Sequence, residues 1–318
     1  MGRRRAEVIS RHPGARIVKV ADMDFARAAS LGQDIPCPAT GDPEECLQDP
    51  GVDVVFVCTP NDSHAALASE ALRHGKHVFC EKPLARNPEE AQQVLEATRR
   101  SRAFLKVGSP LRFFPNVLKA KELVNKGVIG EPLYGRGWIG VPGTHLASTW
   151  FSDCEVSGGG VFLDMGVHLL DLARWFLGEV IAATGYVGTL HWPVEPSEDT
   201  GAGVFRFEGG RLAMIQVSWM EWPGAGYAYF ELIGSKGFVR VDSRGEACTC
   251  ILGFRDGSRQ AFDFSDRPPH SYDDELAHFI TSLTEGRQPM ATAYDGLRAV
   301  QMAHAVYRAS RTGVTVVL

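Results

Sequence analysis

Three stretches of this 318-residue chain hold side chains whose types and spacing suit chemistry. In HVFCEKPLARNPEE (77–90) Glu81 and Lys82 follow an apolar run directly, and Pro83 restricts Lys82 to an extended backbone. An ammonium at the lip of a cleft donates to a hydroxyl or carbonyl oxygen and stabilises negative charge as it develops there. Spacing alone leaves a surface ion pair ahead of a helix as the other reading. In SGGGVFLDMGVHLLDLARWFLG (157–178) Asp164 and His168 are four residues apart, so a helix brings them onto one face, a turn apart. A carboxylate beside an imidazole raises the fraction of imidazolium and fixes the ring, which suits a general acid/base toward an alcohol. Helix capping by Asp164 and a buried, satisfied His168 fit the same spacing. Asp171, three residues further on, is read as a support that orients His168, and the three glycines as room for backbone to approach a ligand. In VCTPNDSHAAL (57–67) Thr59-Pro60-Asn61 ends an apolar run, with Asn61 placed to cap the next helix and His64 in its first turn.

Such residues need elements to hold them. From Ala15 to Ser109 short apolar runs (ARIVKVAD, VDVVFVCT, HVFCEK, FLKVGS) alternate with helical patterns, which means a parallel sheet covered on both faces. Thr59-Pro60-Asn61 and Glu81-Lys82 then fall at the carboxyl edge of that sheet, where open α/β folds bind ligands. Helices are expected over 61–74 and 87–101, the second opened by Asn87, Pro88 and two acids. ARIVKVAD stops at Asp22, and Gly2 precedes that acid by 20 residues. This is about the separation between the last glycine of a G-x-G-x-x-G loop and the acid that holds a dinucleotide ribose. The chain is therefore expected to begin inside its own fingerprint, as a truncated product that binds dinucleotide poorly. After Pro110 the pattern changes to helices over 115–126 and 164–177, strand-like stretches from AATGYVGTLH to RQAFDF, and two closing helices near 272–285 and 294–310. The division expected is 1–109, a dinucleotide-binding domain incomplete at its N-terminus, and 110–318, an α+β domain with an antiparallel sheet.

Composition narrows the function classes. A net charge of −5 gives no basic footprint for nucleic acid, and Arg3–Arg5 reads as a solvated helix face. No apolar run approaches the ~20 residues of a membrane span, and MGRRRAEVISRH has no apolar segment of a secretory signal. The expected compartment is the cytoplasm. Seven scattered cysteines fit reduced thiols, and Cys248 with Cys250 has no second pair to complete a metal site. No metal is expected.

VADMD, VCTPNDSH, CEKPLA, SGGGVFLDMGVHLLDLARWFLG, the pieces EDT and FRFEGG, and YDDELAHFITSLTEGRQP with DGLRAV and YRASRTG together resemble the Gfo/Idh/MocA family of NAD(P)-dependent oxidoreductases. These are the relatives of glucose–fructose oxidoreductase and inositol dehydrogenase. The resemblance implies a Rossmann domain followed by an α/β domain whose large open antiparallel sheet makes oligomer contacts, so a homodimer or homotetramer. It implies oxidation of a ring hydroxyl on a sugar or cyclitol. It makes Lys82, Asp164 and His168 catalytic, and Gly2, Asp22, Thr59, Pro60, Asn61, His64, Glu81 and Lys82 cofactor contacts. Asp22 would accept from the ribose diol and repel a 2′-phosphate, so NAD is expected over NADP. Two rivals are a redox-neutral glycosidase or lyase that recycles bound NAD, and a non-catalytic scaffold. Trp138, His145, Trp150, His191 and Trp192 fit the walls of a sugar site, or packing.

Overall fold

The computed structural model describes residues 1–144, 146, 150–194, 196–222, 227–244, 246–266 and 272–318. They form two units. The first holds residues 1–85, 89–108 and the chain from Tyr272 to Leu297, and the second holds 86–88, the segment from Ser109 onward and Arg298–Leu318. A single cut after residue 109 therefore misses one return: the helix beginning at Tyr272 packs back into the first unit, because its apolar face covers that unit's sheet.

In chain order the first unit contains α1 (Gly2–Arg11), β1 (Val20–Ala21), α2 (Phe25–Asp34), β2 (Ala39–Thr40), α3 (Glu44–Leu47), β3 (Val54–Val57), α4 (Asn61–Arg73), β4 (His77–Cys80), α5 (Pro88–Arg100, from Glu89 onward) and β5 (Leu105–Val107). The second contains a 3-10 turn at Pro110–Phe113, α6 (Pro115–Asn125), β6 (Pro132–Gly140), α7 (Cys154–Ser157), a π-helical turn Phe162–Gly166 and α8 (Val167–Leu177). There follow β7 (Val180–Gly188), β8 (Thr200–Phe207), β9 (Leu212–Ser218), β10 (Ala228–Gly234), β11 (Gly237–Asp242), β12 (Thr249–Phe254) and β13 (Arg259–Asp263). The chain closes with α9 (Tyr272–Thr284), α10 (Ala293–Thr312) and β14 (Val316–Val317).

In the first unit β3, β4 and β5 form a three-stranded parallel sheet, and β1 pairs in parallel with β2 alone. The strand expected over Ala15–Asp22 is only two residues long, Val20–Ala21, matching the two residues of its single partner β2. Phe56 and Phe79 stack at 4.9 Å on the β3–β4 face, and Phe279 of α9 meets both edge-on. Val8 and Ile9 of α1 pack with Leu276 of α9 beside them, as apolar spacing on both helices requires.

The second unit is built on a nine-stranded sheet in the order β13-β12-β11-β10-β6-β9-β8-β7-β14. The antiparallel expectation holds for every neighbouring pair except β6–β9, which is parallel. The sheet is thus mixed, for a geometric reason: β9 and β10 run in opposite directions, so a strand inserted between them must be parallel to one. Along β8 burial alternates with period two, Phe205 and Phe207 inward and Val204 and Arg206 outward. Gly209 and Gly210, both at positive φ, turn β8 into β9. Helix α8 lies close against β6, where a Cβ on Gly137 would come within 3.0 Å of Leu169. The continuous run Cys154–Leu177 is long and apolar enough to cross a membrane by length and composition, but 89% of its apolar window is buried inside the protein.

Candidate active site

At the edge of the first unit's sheet, β3 leads through Thr59 and Pro60 into α4, which Asn61 opens in a buried position. Strand β4 leads into Glu81, half-buried Lys82 and a cis Lys82–Pro83 peptide. His64 joins the two strand ends. Its Nδ1 is 2.8 Å from the Pro83 carbonyl and its Nε2 2.9 Å from the Thr59 carbonyl, with the ring 1% exposed. Burial lowers its pKa, opposed by the two carbonyl contacts. The neutral ring has one N–H, so it donates to one of these carbonyls and packs against the other, and His64 lies between the loops that carry Thr59 and Lys82. Asp22 follows β1 on the surface, its Oδ1 accepting the Asp24 amide at 2.9 Å. Gly2 begins α1, whose N-terminus has no side-chain cap and no acid in its first turn.

The expectation that Arg3–Arg5 is a solvated face fails at Arg5, because helical periodicity turns that residue inward with Val8 and Ile9. Arg3 is exposed and pairs with Asp34, and Arg4 lies over the Tyr272 ring at 4.4 Å. Arg5 is buried. Its Nε donates to Glu81 Oε1 at 2.6 Å, and its Nη1 is 2.9 Å from Glu275 Oε2. Buried Lys106 completes the group, with Nζ 3.1 Å from Glu275 Oε1. The rings of Phe79 and Tyr272 lie 4.4 and 4.5 Å from the Arg5 guanidinium carbon. Burial works against the Arg5 charge, yet Glu81 and Glu275 raise its pKa above the ordinary arginine value. Two cations and two acids therefore cancel in the core, with Glu81 fixed directly before Lys82. Gly108 makes room for it, since a Cβ there would come within 2.8 Å of Glu81 Oε2.

In the second unit Asp164 lies in the π-helical turn and His168 in the first turn of α8, 7% and 6% exposed. The widened turn changes the expected regular helical stagger of the two residues, a local device common at functional sites. Trp219 Nε1 donates to Asp164 Oδ2 at 3.3 Å. Behind it, Trp192 Nε1 donates to the Trp219 carbonyl, and the Asp199 carboxylate accepts the amides of Leu190, His191 and Trp192. Asp171 does not orient His168 as the sequence suggested. Arg112 takes both of its oxygens, at 2.7 and 2.6 Å, in a buried two-pronged pair, because the guanidinium fork matches a carboxylate better than an imidazole does. Of the expected wall residues, Trp138 is half-buried in β6, Trp150 stacks on Phe151, and His191 meets Trp192 edge-on at 5.0 Å. His145 lies outside the described residues.

Comparison with known proteins decides the ancestry of this arrangement. Residues 1–109 match an oxidoreductase family described as an NAD-binding Rossmann fold, and residues 117–240 match the GFO/IDH/MocA C-terminal domain. The myo-inositol 2-dehydrogenase of Thermotoga maritima is 34% identical over 274 residues, covering 83% of this chain and 79% of the relative. The chain belongs to the GFO/IDH/MocA oxidoreductase family. A second member, the NAD(+)-dependent scyllo-inositol 2-dehydrogenase of Bacillus subtilis, is 29% identical, covering 96% of this chain and 90% of the relative. A levoglucosan dehydrogenase solved in complex with NADH shares the GFO/IDH/MocA fold with a TM-score of 0.91 at 23% identity, covering all of this chain and 96% of that one. The family resemblance and the two-part fold expected from the sequence are both borne out, and the cofactor of the family's first domain is NAD. The residues present fit that dinucleotide. An uncapped helix start suits an anion, and an exposed acid at the end of β1 suits a ribose diol.

Proposed function

We propose that this chain is a cytoplasmic NAD-dependent dehydrogenase that oxidises a ring hydroxyl of a sugar or cyclitol. The observation that carries the reading is a buried pair on consecutive helical turns of a GFO/IDH/MocA oxidoreductase, Asp164 in the π-helical turn and His168 in the first turn of α8. The relatives named for oxidation at an inositol ring carbon support the substrate class. NAD, when bound, supplies the hydride acceptor. His168 takes the hydroxyl proton, and Asp164, anchored by Trp219, favours the imidazolium that results. Lys82 is the donor in the first unit suited to hold negative charge as it builds on a substrate oxygen. Gly2 and its helix start hold the pyrophosphate, Asp22 the adenosine ribose and Glu81 the nicotinamide side, while Thr59, Pro60 and Asn61 line the sheet edge and His64 fixes it from behind. Asp22 disfavours a 2′-phosphate, so NAD is preferred to NADP.

The base assignment has a direct test. The kcat/KM for polyol oxidation, followed as net NADH, rises with pH through one neutral-range ionisation, and that limb vanishes in His168→Gln. Asp164→Asn moves it to lower pH, since loss of a neighbouring negative charge disfavours imidazolium. A folded His168→Gln enzyme with the wild-type limb overturns the assignment. The assembly we propose is a homodimer or homotetramer joined through the exposed face of the large sheet. Tyr186, Val204 and Met214 stand out there at 74%, 43% and 46% exposure, and Arg136, Glu231 and Arg240 continue the same row across β6, β10 and β11. Sedimentation of the protein as a monomer at micromolar concentration would exclude it.

A further inference from the structure

The turn that carries Asp164 begins at three glycines, which have no side chain to cap a helix. Its amides are nevertheless met. The Gly160 amide donates to Glu198 Oε2 at 2.9 Å, the Val161 amide to the Glu198 backbone carbonyl at 3.0 Å, and the Phe162 amide to Glu198 Oε1 at 2.9 Å. The Leu163 amide donates to the Tyr307 hydroxyl at 3.0 Å, and that hydroxyl donates to Glu198 Oε1 at 2.8 Å. The first intrahelical bond follows at once, from the Asp164 amide to the Gly160 carbonyl. Four consecutive amides are thus fixed by one residue just ahead of β8 and one on α10.

The glycines are explained by the same contacts. A Cβ on Gly160 would lie 1.9 Å from the Glu198 carbonyl oxygen, and one on Gly159 would lie 2.5 Å from the Tyr307 hydroxyl. Gly158 has φ +82° and its Cβ would come within 2.6 Å of Arg86. The sequence suggested that these glycines let backbone approach a ligand; what they admit is a cap from a distant part of the chain. Burial of Glu198 raises its carboxyl to about 7 against the opposing bonds from Phe162, Tyr307 and Gly160.

We propose that Glu198, backed by Tyr307, is a positioning residue for the acid/base turn: it sets the first turn of the helix and through it the placement of Asp164 and His168. The proposal rests on the reading of His168 as the base. A carboxyl group suits the task, because its two oxygens accept from both amides, whereas a carboxamide turns one amino group toward an amide N–H. A small rotation at the helix start is carried to residues 164 and 168, where misplacement of ~1 Å costs on the order of 10²-fold in rate.

The experiment compares Glu198→Gln and Tyr307→Phe in the full chain with NAD. Each variant, folded by circular dichroism, should lower kcat by about 10–100-fold, leave the NAD Kd within about two-fold, and shift the His168 imidazole titration seen by NMR without substrate. A kcat within about two-fold of wild type in both variants overturns the proposal. So does a lower kcat with an unmoved imidazole titration, which would place the damage elsewhere. Tyr307→Phe decides alone if Glu198→Gln does not fold. If His168→Gln keeps the wild-type pH limb, the base reading fails, and the imidazole titration in Glu198→Gln still reports whether Glu198 holds the turn.

Discussion

Replacing Arg5 by Met tests the physical account of the first unit most severely, because it removes one cation from a buried, neutral group of four charges. The Arg5, Glu81 and Glu275 side chains are 3%, 7% and 0% exposed, so water cannot take over as a partner. After the substitution Glu275 keeps Lys106 at 3.1 Å, while Glu81 loses the guanidinium that donated to it at 2.6 Å. Breaking a buried pair from one side costs about 3–5 kcal/mol, more than the packing lost by exchanging an arginine stem for methionine. The expected fall in unfolding free energy by urea titration is therefore about 4 kcal/mol near neutral pH. Arg5→Met/Glu81→Gln, which leaves no buried carboxylate stripped of its cation, should recover at least about half of the loss. A loss under ~1 kcal/mol, or a double variant no better than the single one, would refute the claim that these charges are desolvated and coupled.

Two other outcomes are expected. Lys82→Ala should reduce turnover by about 10²–10⁴-fold with little change in the urea midpoint, since Lys82 is half-buried at the sheet edge and outside the core; a loss of only a few-fold returns it to an ion-pair role. Glu198 has its carboxyl raised to about 7, so its contribution to stability is present at low pH and is lost as pH rises from the unfolded value to that point. Glu198→Gln should flatten this part of the stability–pH curve, worth roughly 3 kcal/mol at most, and an unchanged slope would show that the carboxyl titrates normally.

What the sequence disclosed and what it hid divide along physical lines. The alternation of Phe205 and Phe207 with Val204 and Arg206, the apolar runs of β3 and β4, and the Asn87–Glu90 helix start were all legible, because periodicity and capping are local. The spacing of Asp164 and His168 was legible too, but the π-helical turn between them was not, since no residue type specifies an inserted residue in a helix. Arg5 looked like surface because a basic triplet usually is; only the inward phase of Val8 and Ile9 on the same helix could have pointed to its burial. The Arg112–Asp171 pair spans 59 positions, and the Tyr307–Glu198 bond spans 109. Neither has a local signal.

The hidden residues share a property that follows from close packing. A segment that brings reactive groups together on glycines or on a strand end has few side chains of its own to satisfy its backbone, so its support must come from residues remote in sequence. Glu198 and Tyr307, both far from it in sequence, accept from all four amides at the start of the Asp164 turn. Each support is a polar side chain below a tenth exposed or bonded to one that is, and each would be costly to bury without those bonds. At this turn the two supporting residues lie on other parts of the fold, Glu198 just ahead of β8 and Tyr307 on α10, where the motif spacing around Asp164 carries no sign of them.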